Sequence, residues 1–496
     1  MTTLPRGDRT AAVASALLLN LAFPPFHFLV PSLLCLVPAI VVLERSNEGG
    51  SPARRQFLLG FWFGLLANLL LLHWMAVAMW QVKHWWVLGF LVAVLWLAGA
   101  TGALFAAVGW IRRRTGLAVV LVFPVMWTTL EWLLAHQGPA AFTWLGLGTS
   151  LTGYPQLVQV ADVTGARGMT FLLAAANAAM ALAWIRRRRW RHGALLVGSV
   201  ATCGFAVWLY GAVRIDQLEL KSLGKVAVVQ TDIGPHDKWV AARSGLVVAQ
   251  ALEMSRQVVA QRPDLIVWPE TALPGPLLYH PEWEQEIGDL ARSASAFVVV
   301  GGIEAVPVGR GLEQYNAAFF LDPSGRQIRA PYRKQHLVPL FERGTDLEAG
   351  GRGSPYRIAH GRIGVLICFE ATDEAMARSY RRQGANALVN LSNDAWFSVG
   401  AGAYQHAAHV VMRAIETRMG IARATNLGIS EIVDPFGRIQ QQLPVGTAGT
   451  AVGTLTMTAT IPVYVLLGDW VGALSAAVVM ALLAFAATRP VSSPIG

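Results

Sequence analysis

Long apolar segments separated by short polar loops dominate the first 215 residues of the chain. A helix that crosses a bilayer needs about 20 mostly apolar residues, so this pattern, together with one further apolar segment at 464–487, predicts a polytopic α-helical membrane domain with about eight spans. Residues 30–43 are short for a span and alone would fit a re-entrant segment, but the charges of the flanking loops favour a crossing. The predicted spans are residues 11–29, 30–43, 57–80, 86–110, 117–135, 168–185, 194–213 and 464–487.

The first apolar segment follows Arg6 and Arg9, as the apolar core of a cleaved signal peptide would. We interpret it as a retained helix, because further spans follow it and no clear cleavage site is present. The sequence Phe23-Pro24-Pro25-Phe26 is expected to end this helix near the outer surface, since proline cannot continue a helical hydrogen-bond ladder.

Composition and charge agree with a membrane location. Hydrophobic residues make up 54% of the 496 residues and charged residues only 14%, against about 25% charged residues in an average protein. The net charge of +10 includes arginine runs between apolar segments, at 54–55, 112–114 and 186–189. Cytoplasmic loops carry such runs, so we expect these loops and both chain ends to lie inside the cell. No basic face with interleaved aromatic residues occurs elsewhere, which argues against nucleic-acid binding.

Residues 222–456 follow a different pattern, in which short β-rich runs alternate with helical or loop stretches. This alternation predicts an α/β body with a sheet covered by helices. We therefore divide the chain into a membrane domain at 1–215 with seven spans, an extramembrane domain at 222–456 on the outer face, and a final span at 464–487. The predicted strands are Val226–Gln230, Leu265–Trp268, Phe297–Gly301, Ala317–Leu321, Ile363–Cys368 and Ala387–Leu391, and the predicted helices are Ser244–Gln261, Pro281–Ala294 and Ala403–Arg418.

Three residues with reactive side chains each lie at the end of a predicted strand of this domain or just after a strand or turn. Glu270 follows one apolar strand, Cys368 ends another, and Lys334 follows a turn rich in proline and glycine. Ligands bind beyond the carboxyl ends of the strands in open α/β sheets, which is where Glu270 and Cys368 are expected. Cys35 and Cys203 lie in predicted spans, so Cys368 has no partner cysteine in its own domain.

The three residue types suit nucleophilic catalysis. A thiol is mostly protonated at neutral pH, so it needs a base, for which Glu270 is the candidate. A tetrahedral intermediate needs a fixed donor for its oxyanion, which Lys334 and the backbone N–H of Phe369 can supply. Taken one at a time, each residue also has a structural explanation: a turn glutamate, a solvated lysine, and a small core cysteine.

The ordered segments around these residues resemble the nitrilase superfamily. The full chain resembles the apolipoprotein N-acyltransferase family, the membrane-bound branch of that superfamily, over nearly all of its length. The resemblance implies that residues 222–456 form a nitrilase-like αββα sandwich. Further segments that carry it are residues 23–26 (FPPF), 144–148 (WLGLG), 159–165 (QVADVTG), 391–397 (LSNDAWF), 413–416 (RAIE), 423–426 (RATN) and 468–470 (GDW).

The resemblance implies a ping-pong reaction in the inner membrane, as the last step of lipoprotein maturation. Cys368 would take an acyl chain from the sn-1 ester of a phospholipid as a thioester. The α-amine of a diacylglyceryl-cysteine at the N-terminus of an apolipoprotein would then accept the chain. Glu270 would be the base in both steps, and Lys334 would stabilise both intermediates. The resemblance thus implies a multi-pass protein, expected to be a monomer, whose catalytic domain faces the periplasm.

Other residues match supporting positions of the family. Glu342 and Glu370 match its supporting acids, and Trp239 matches an aromatic residue near the substrate entrance. The chain departs from the family pattern at residues 343–360, which form a shortened, glycine-rich segment. We expect no cofactor and no metal, because HExxH and paired CxxC motifs are absent. We interpret His406 and His409, three residues apart, as surface or core histidines.

Two other functions remain open from the sequence. A membrane-tethered amidase or nitrilase would use the same three residues and release the acyl group to water. A transporter or scaffold would use the outer domain only for binding, although the internal repeats of many transporters are not found in this sequence. Acylation of a diacylglyceryl-cysteine peptide separates the first alternative from the transferase, and the effect of replacing Cys368 separates the second.

Overall fold

The computed structural model describes residues 4–46, 52–138, 141–234, 238, 243–309, 311–339, 341–342, 345–397 and 400–489. The chain divides into two compact units, of which one comprises Met1–Ile215 and Asp469–Gly496 and the other comprises Asp216–Gly468. The helices are α1 Arg6–Ala22, α2 Leu29–Leu34, α3 Val37–Arg45, α4 Pro52–Val82, α5 Val87–Thr115, α6 Val119–Ala135, α7 Pro155–Val158, α8 Ala161–Ile185, α9 Trp190–Gln217, α10 Ser244–Val258, α11 Pro281–Ala294, α12 Glu374–Arg382, α13 Ala401–Thr417, α14 Val463–Leu467 and α15 Trp470–Thr488.

Among the described residues of the first unit, five helical segments are long and apolar enough to cross a membrane: α4, α8, α9, α15 and His84–Thr115, which contains α5. They correspond to five of the eight predicted spans. Helices α1 and α6 have 17 residues each, a length of about 25 Å at 1.5 Å per residue, against a hydrocarbon core of about 30 Å. The number of crossings therefore stays a prediction.

The span predicted at residues 30–43 is not one helix. It is divided into α2 and α3, with Cys35 and Leu36 between them. Pro38 lies in the first turn of α3, and its ring nitrogen has no hydrogen to donate to the carbonyl of Leu34, so the α2 ladder cannot continue through it. The expectation that the first helix stops at the Phe23-Pro24-Pro25-Phe26 sequence is confirmed, because α1 ends at Ala22.

A buried carboxylate joins three parts of the first unit. Glu131 of α6 accepts hydrogen bonds from Trp127 Nε1 at 3.0 Å, from the backbone N–H of Leu147 at 2.8 Å and from Thr170 Oγ1 at 2.7 Å. The side chain is 8% exposed. Because a buried carboxylate without partners is strongly destabilising, these three donors make Glu131 a structural link between α6, the segment after it and α8.

The second unit contains two six-stranded sheets. In the first sheet β1, β2 and β3 run parallel, and in the second β7, β8 and β9 run parallel, with antiparallel strands on both sides. The order is β12-β1-β2-β3-β4-β5 in one sheet and β11-β10-β9-β8-β7-β6 in the other. The strands are β1 Lys221–Gln230, β2 Leu265–Val267, β3 Phe297–Val308, β4 Gly311–Leu321, β5 Tyr332–Arg333, β6 Tyr356–Ile358, β7 Gly361–Ile367, β8 Ala387–Ser392, β9 Gly420–Thr425, β10 Ser430–Val433, β11 Ile439–Leu443 and β12 Gly449–Met457.

Helices cover the outer face of each sheet, which gives four layers in the order αββα. Helices α10 and α11 pack on the first sheet, α12 and α13 pack on the second, and β1 and β12 contact β9 and β10 across the centre. Burial of apolar side chains from both faces of each sheet supplies the main stabilising free energy of such a fold. The core between the first sheet and its helices contains Ile266, Val298 and Phe319 of the strands, Val248, Ala251 and Leu252 of α10, and Trp283, Ile287 and Leu290 of α11.

Candidate active site

The residues predicted to be catalytic follow the ends of strands in the two sheets. Glu270 lies three residues after β2, Lys334 directly follows β5, and Cys368 directly follows β7. The Nζ atom of Lys334 lies 3.2 Å from Oε1 of Glu270, and the charges of both residues act on the Cys368 thiol. The fold therefore brings the three predicted residues into one site, although their catalytic roles remain predictions.

Lys334 is the centre of a buried ion cluster. Its side chain is 1% exposed, and Nζ lies 2.8 Å from one carboxylate oxygen of Glu342 and 2.9 Å from the other. Burial by itself disfavours the ammonium, but the carboxylates of Glu270 and Glu342 outweigh it and raise the pKa of Lys334 well above its ordinary value. Lys334 is thus a permanently charged, rigidly held hydrogen-bond donor at neutral pH.

Asn316 of β4 bridges the carboxylates of Glu270 and Glu342. Its Nδ2 atom donates to Oε1 of Glu270 at 2.7 Å and to Oε1 of Glu342 at 2.9 Å. The residue is 3% exposed and lies within an otherwise apolar stretch of its strand. We did not predict this residue from the sequence, but a lone amide inside an apolar strand was the available signal, because buried polar groups need partners.

Cys368 has an unusual backbone and a protonated thiol. Its φ angle of 52° lies in the left-handed region, which non-glycine residues rarely adopt and which is enriched at active sites. The residue is buried. Burial and the carboxylate of Glu270 raise the pKa of the thiol, while Lys334 acts in the opposite direction. The resting group is therefore the thiol, and its reaction as a nucleophile requires a base.

Glu370 organises the loop that holds Lys334 against the end of β7. Oε1 accepts from the backbone N–H groups of Gln335 at 2.6 Å and His336 at 3.2 Å. Oε2 accepts from the hydroxyl of Tyr332 at 2.8 Å and from the N–H of Ile367 at 2.7 Å. Burial raises the pKa of Glu370, and these donors oppose that shift. Glu342 thus bonds Lys334 itself, and Glu370 bonds the segments next to Lys334 and Cys368. Their role as supporting acids stays a prediction.

A second buried lysine was missed by the sequence analysis. Lys238 is 1% exposed, and its Nζ donates to the backbone carbonyl of Glu270 at 2.9 Å. Burial lowers the pKa of Lys238 to about 7, although Glu270 and Cys368 favour its charged form. Trp239, the next residue and a predicted part of the substrate entrance, lies outside the described residues.

Within the described part of the chain, Cys368, Asp394 and His406 form the one group whose potential metal ligands lie within 4.8 Å of one another. The side chains of Asp394 and His406 already bond other groups of the protein. Asp394 accepts from Arg423 Nη2 at 2.7 Å, and His406 contacts Asp394 through Nδ1 at 2.9 Å and the Cys368 carbonyl through Nε2 at 3.1 Å. The arginine cation and these contacts favour a hydrogen-bonded network over a cation site. The absence of a cofactor stays a prediction.

Gly301 of β3 allows the Glu270 loop to lie close to the sheet. A Cβ atom at Gly301 would lie 2.2 Å from the carbonyl oxygen of Pro269 and 2.7 Å from Cα of Glu270. We predict that Gly301→Ala displaces Glu270, lowers the catalytic activity of this site by about 10-fold or more and lowers stability by about 1–3 kcal/mol. Gly311→Ala is the matched control, since its Cβ would meet nothing nearer than the Val308 carbonyl oxygen at 3.8 Å. Equal activity of the two purified variants would contradict this role.

The two units match two family models. Residues 225–463 match the model described as carbon-nitrogen hydrolase, and residues 15–179 match the model described as apolipoprotein N-acyltransferase N-terminal domain. The four-layer fold and the first match define the second unit as a nitrilase-like α/β domain.

The similarity to known proteins extends over most of the chain. It is 32% identical to the apolipoprotein N-acyltransferase of Geobacter metallireducens, with 97% of this chain and 96% of that protein covered. It is 27% identical to the protein of the same name from Chlorobaculum tepidum, with 87% of each chain covered. The identity to the one from Bradyrhizobium diazoefficiens is 29%, covering 96% of this chain and 94% of that protein. The chain belongs to the apolipoprotein N-acyltransferase family.

Proposed function

We propose that this protein transfers a fatty acyl chain from a phospholipid to the N-terminal α-amine of a diacylglyceryl-cysteine lipoprotein, through a thioester on Cys368. The observation that carries the proposal is the buried cluster in which Lys334 lies 3.2 Å from Glu270 beside the Cys368 thiol. The family to which the chain belongs supplies the class of acceptor and donor. A carboxylate, a cation and a thiol are the three groups that acyl transfer through cysteine requires.

In the first half-reaction, Glu270 accepts the Cys368 proton and the sulfur attacks the carbonyl carbon of the phospholipid ester. The carbonyl electron pair moves onto its oxygen, where the Lys334 ammonium and the N–H of Phe369 stabilise the oxyanion. Collapse of the intermediate breaks the ester C–O bond, and the leaving glycerol oxygen takes the proton from Glu270. The products are a Cys368 thioester and a lysophospholipid.

In the second half-reaction, the α-amine of the lipoprotein cysteine attacks the thioester carbonyl carbon. Glu270 accepts a proton from the nitrogen, and the same donors stabilise the second oxyanion. The C–S bond then breaks, and the sulfur takes back the proton as the amide forms. Glu342 holds Lys334 in position by accepting a hydrogen bond from its Nζ, and Asn316 holds Glu270 by donating to its Oε1.

The membrane unit serves to hold the enzyme in the lipid layer that contains both substrates. We propose eight crossings of the inner membrane, with residues 222–456 as the catalytic domain on the periplasmic side and 464–487 as the last span. The arginine runs at 54–55, 112–114 and 186–189 support this orientation through the positive-inside rule. Five long apolar helical segments support a multi-pass protein, which we propose acts as a monomer.

The test combines the purified full-length protein, phosphatidylethanolamine vesicles and a synthetic diacylglyceryl-cysteine peptide, with both products measured by mass spectrometry. The expected result is one additional acyl chain on the peptide nitrogen and an equal amount of lysophospholipid. Release of free fatty acid with an unchanged peptide would show that the protein is a hydrolase and not a transferase. If no phospholipid is consumed while the peptide binds, the outer domain is a binding module and the proposal fails.

A further inference from the structure

The backbone of Cys368 is held by groups that lie outside the Glu270–Lys334 cluster. Two side-chain donors reach its carbonyl oxygen: His406 Nε2 at 3.1 Å and Asn390 Nδ2 at 3.5 Å. They come from α13 and β8, respectively. Because Cys368 has a φ angle of 52°, a conformation that the surrounding structure must enforce, the partners of this carbonyl help to determine where the sulfur points.

The His406 ring is itself fixed on its opposite side. It is completely buried, and Nδ1 lies 2.9 Å from Oδ1 of Asp394 and 3.1 Å from Nη2 of Arg423. Asp394 also accepts from Ser392 Oγ at 2.8 Å. The ring therefore has no freedom to turn away from the Cys368 carbonyl without breaking contacts to a buried anion and a buried cation, which is costly in a low-dielectric interior.

The carbonyl contact defines which ring nitrogen carries hydrogen. A carbonyl oxygen only accepts hydrogen bonds, so Nε2 of His406 must be protonated. In the neutral ring Nδ1 then accepts from Arg423, and in the charged ring it donates to Asp394. The donor toward Cys368 is present in both states, so its presence does not depend on the charge of His406.

Arg423 links the two donors that reach Cys368. Its guanidinium donates to Oδ1 of Asn390 and, at 2.7 Å, to Oδ2 of Asp394. All of these side chains are buried. One guanidinium thus orients Asn390 directly and contacts His406 both at Nδ1 and through Asp394, so the carbonyl of the nucleophile lies at the end of a single connected network.

We propose that His406 is a positioning residue, whose Nε2–H holds the Cys368 carbonyl and thereby aims the sulfur at the group that deprotonates it. The inference rests on the proposed function of Cys368 as the nucleophile. It assigns to the network of His406, Asp394, Asn390 and Arg423 a task in catalysis that differs from proton transfer and from metal binding, since the two members that reach Cys368 bond its carbonyl oxygen and not its sulfur.

Two substitutions at one position separate the donor from the structural role of the ring. In His406→Gln, the amide nitrogen occupies the place of Nε2 and can still reach the carbonyl. In His406→Asn, the shorter amide occupies the place of Nδ1, so it keeps the contact with Asp394 but cannot reach Cys368. Both variants lose the aromatic ring, so they share the packing defect and serve as controls for each other.

The expected result is that kcat for acyl transfer falls by about 100-fold in His406→Asn and by less than about 10-fold in His406→Gln, while KM changes little and the two melting temperatures agree. Equal loss of activity in the two variants would overturn the proposal, because the carbonyl donor would then be irrelevant. A loss of catalytic efficiency that comes only from a higher KM, with kcat unchanged, would also overturn the proposal, since positioning of the nucleophile acts on the chemical step.

Alkylation of Cys368 by iodoacetamide supplies a second readout that needs no lipid. The rate of alkylation at neutral pH is measured on the peptide that contains Cys368. It is expected to be lower by about 10-fold or more in His406→Asn than in His406→Gln, because Glu270 is then no longer positioned to accept the proton of the thiol. If the wild-type protein transfers no acyl chain but this difference between the variants persists, the proposed function fails and the positioning role stands. If the two variants are alkylated at equal rates, the positioning role fails.

Discussion

Cys368→Ala is expected to abolish acyl transfer while leaving the protein folded. The substitution removes the only atom that can form the thioester, so the rate is expected to fall by at least about 10,000-fold, as when other enzymes lose a covalent nucleophile. No other cysteine can replace it, because the remaining two, Cys35 and Cys203, belong to the first unit. The measurement is the initial rate of acylation of a diacylglyceryl-cysteine peptide by purified protein in phospholipid vesicles.

The matched control is Cys203→Ala. Cys203 is an exposed cysteine on α9, and its replacement is expected to leave the rate unchanged. Because alanine and cysteine are similar in size, the melting temperatures of the two variants are expected to agree within a few degrees. Retention of a tenth or more of the activity by Cys368→Ala would refute covalent catalysis by this residue.

Lys334→Met is expected to lose both activity and stability. Removal of one oxyanion donor lowers kcat by about 100- to 1,000-fold in other acyl-transfer enzymes. The lysine charge that is lost here also neutralises the buried carboxylate of Glu270 and the partly buried carboxylate of Glu342. Leaving buried charges without their partner costs about 3–5 kcal/mol. The variant is therefore expected to melt well below the wild type at neutral pH.

Two comparisons separate the catalytic from the structural effect of Lys334. Lys221→Met, on the exposed start of β1, is expected to change neither activity nor melting temperature. The double variant Lys334→Met with Glu342→Gln is expected to recover part of the stability, since one buried charge is gone, but none of the activity. Recovery of activity together with stability would show that Lys334 only supports the fold.

The parts of the fold that were predicted from the sequence are those with a simple apolar pattern. All six predicted strands are present, and α11 has the predicted bounds. Six further strands of the described chain were not predicted. Among them, β9 contains Arg423, whose buried guanidinium is balanced by Asp394, and β11 is polar and largely exposed at a sheet edge. Charge balance between residues that are distant in sequence and strand pairing at a sheet edge are tertiary effects, which a local sequence pattern does not show.

The same distinction holds for the site. Glu270, Lys334 and Cys368 were found because each follows a recognisable strand or turn and has a reactive group. His406 was interpreted as a surface or core histidine, and it is buried, but its contact with the Cys368 carbonyl depends on how α13 packs against the end of β7. Asn316 and Lys238 were missed for a similar reason, because their partners are 46 and 32 residues away along the chain.

The central claim is that the sulfur of Cys368 carries the acyl chain between donor and acceptor. Intact-mass measurement of the full-length protein after incubation with phosphatidylethanolamine, without acceptor, tests it most directly. We predict one added acyl group, located on the peptide that contains Cys368, released by the acceptor peptide and absent from Cys368→Ser. Acyl transfer at the normal rate by a protein that never gains this mass, or the same adduct on Cys368→Ala, would contradict the account.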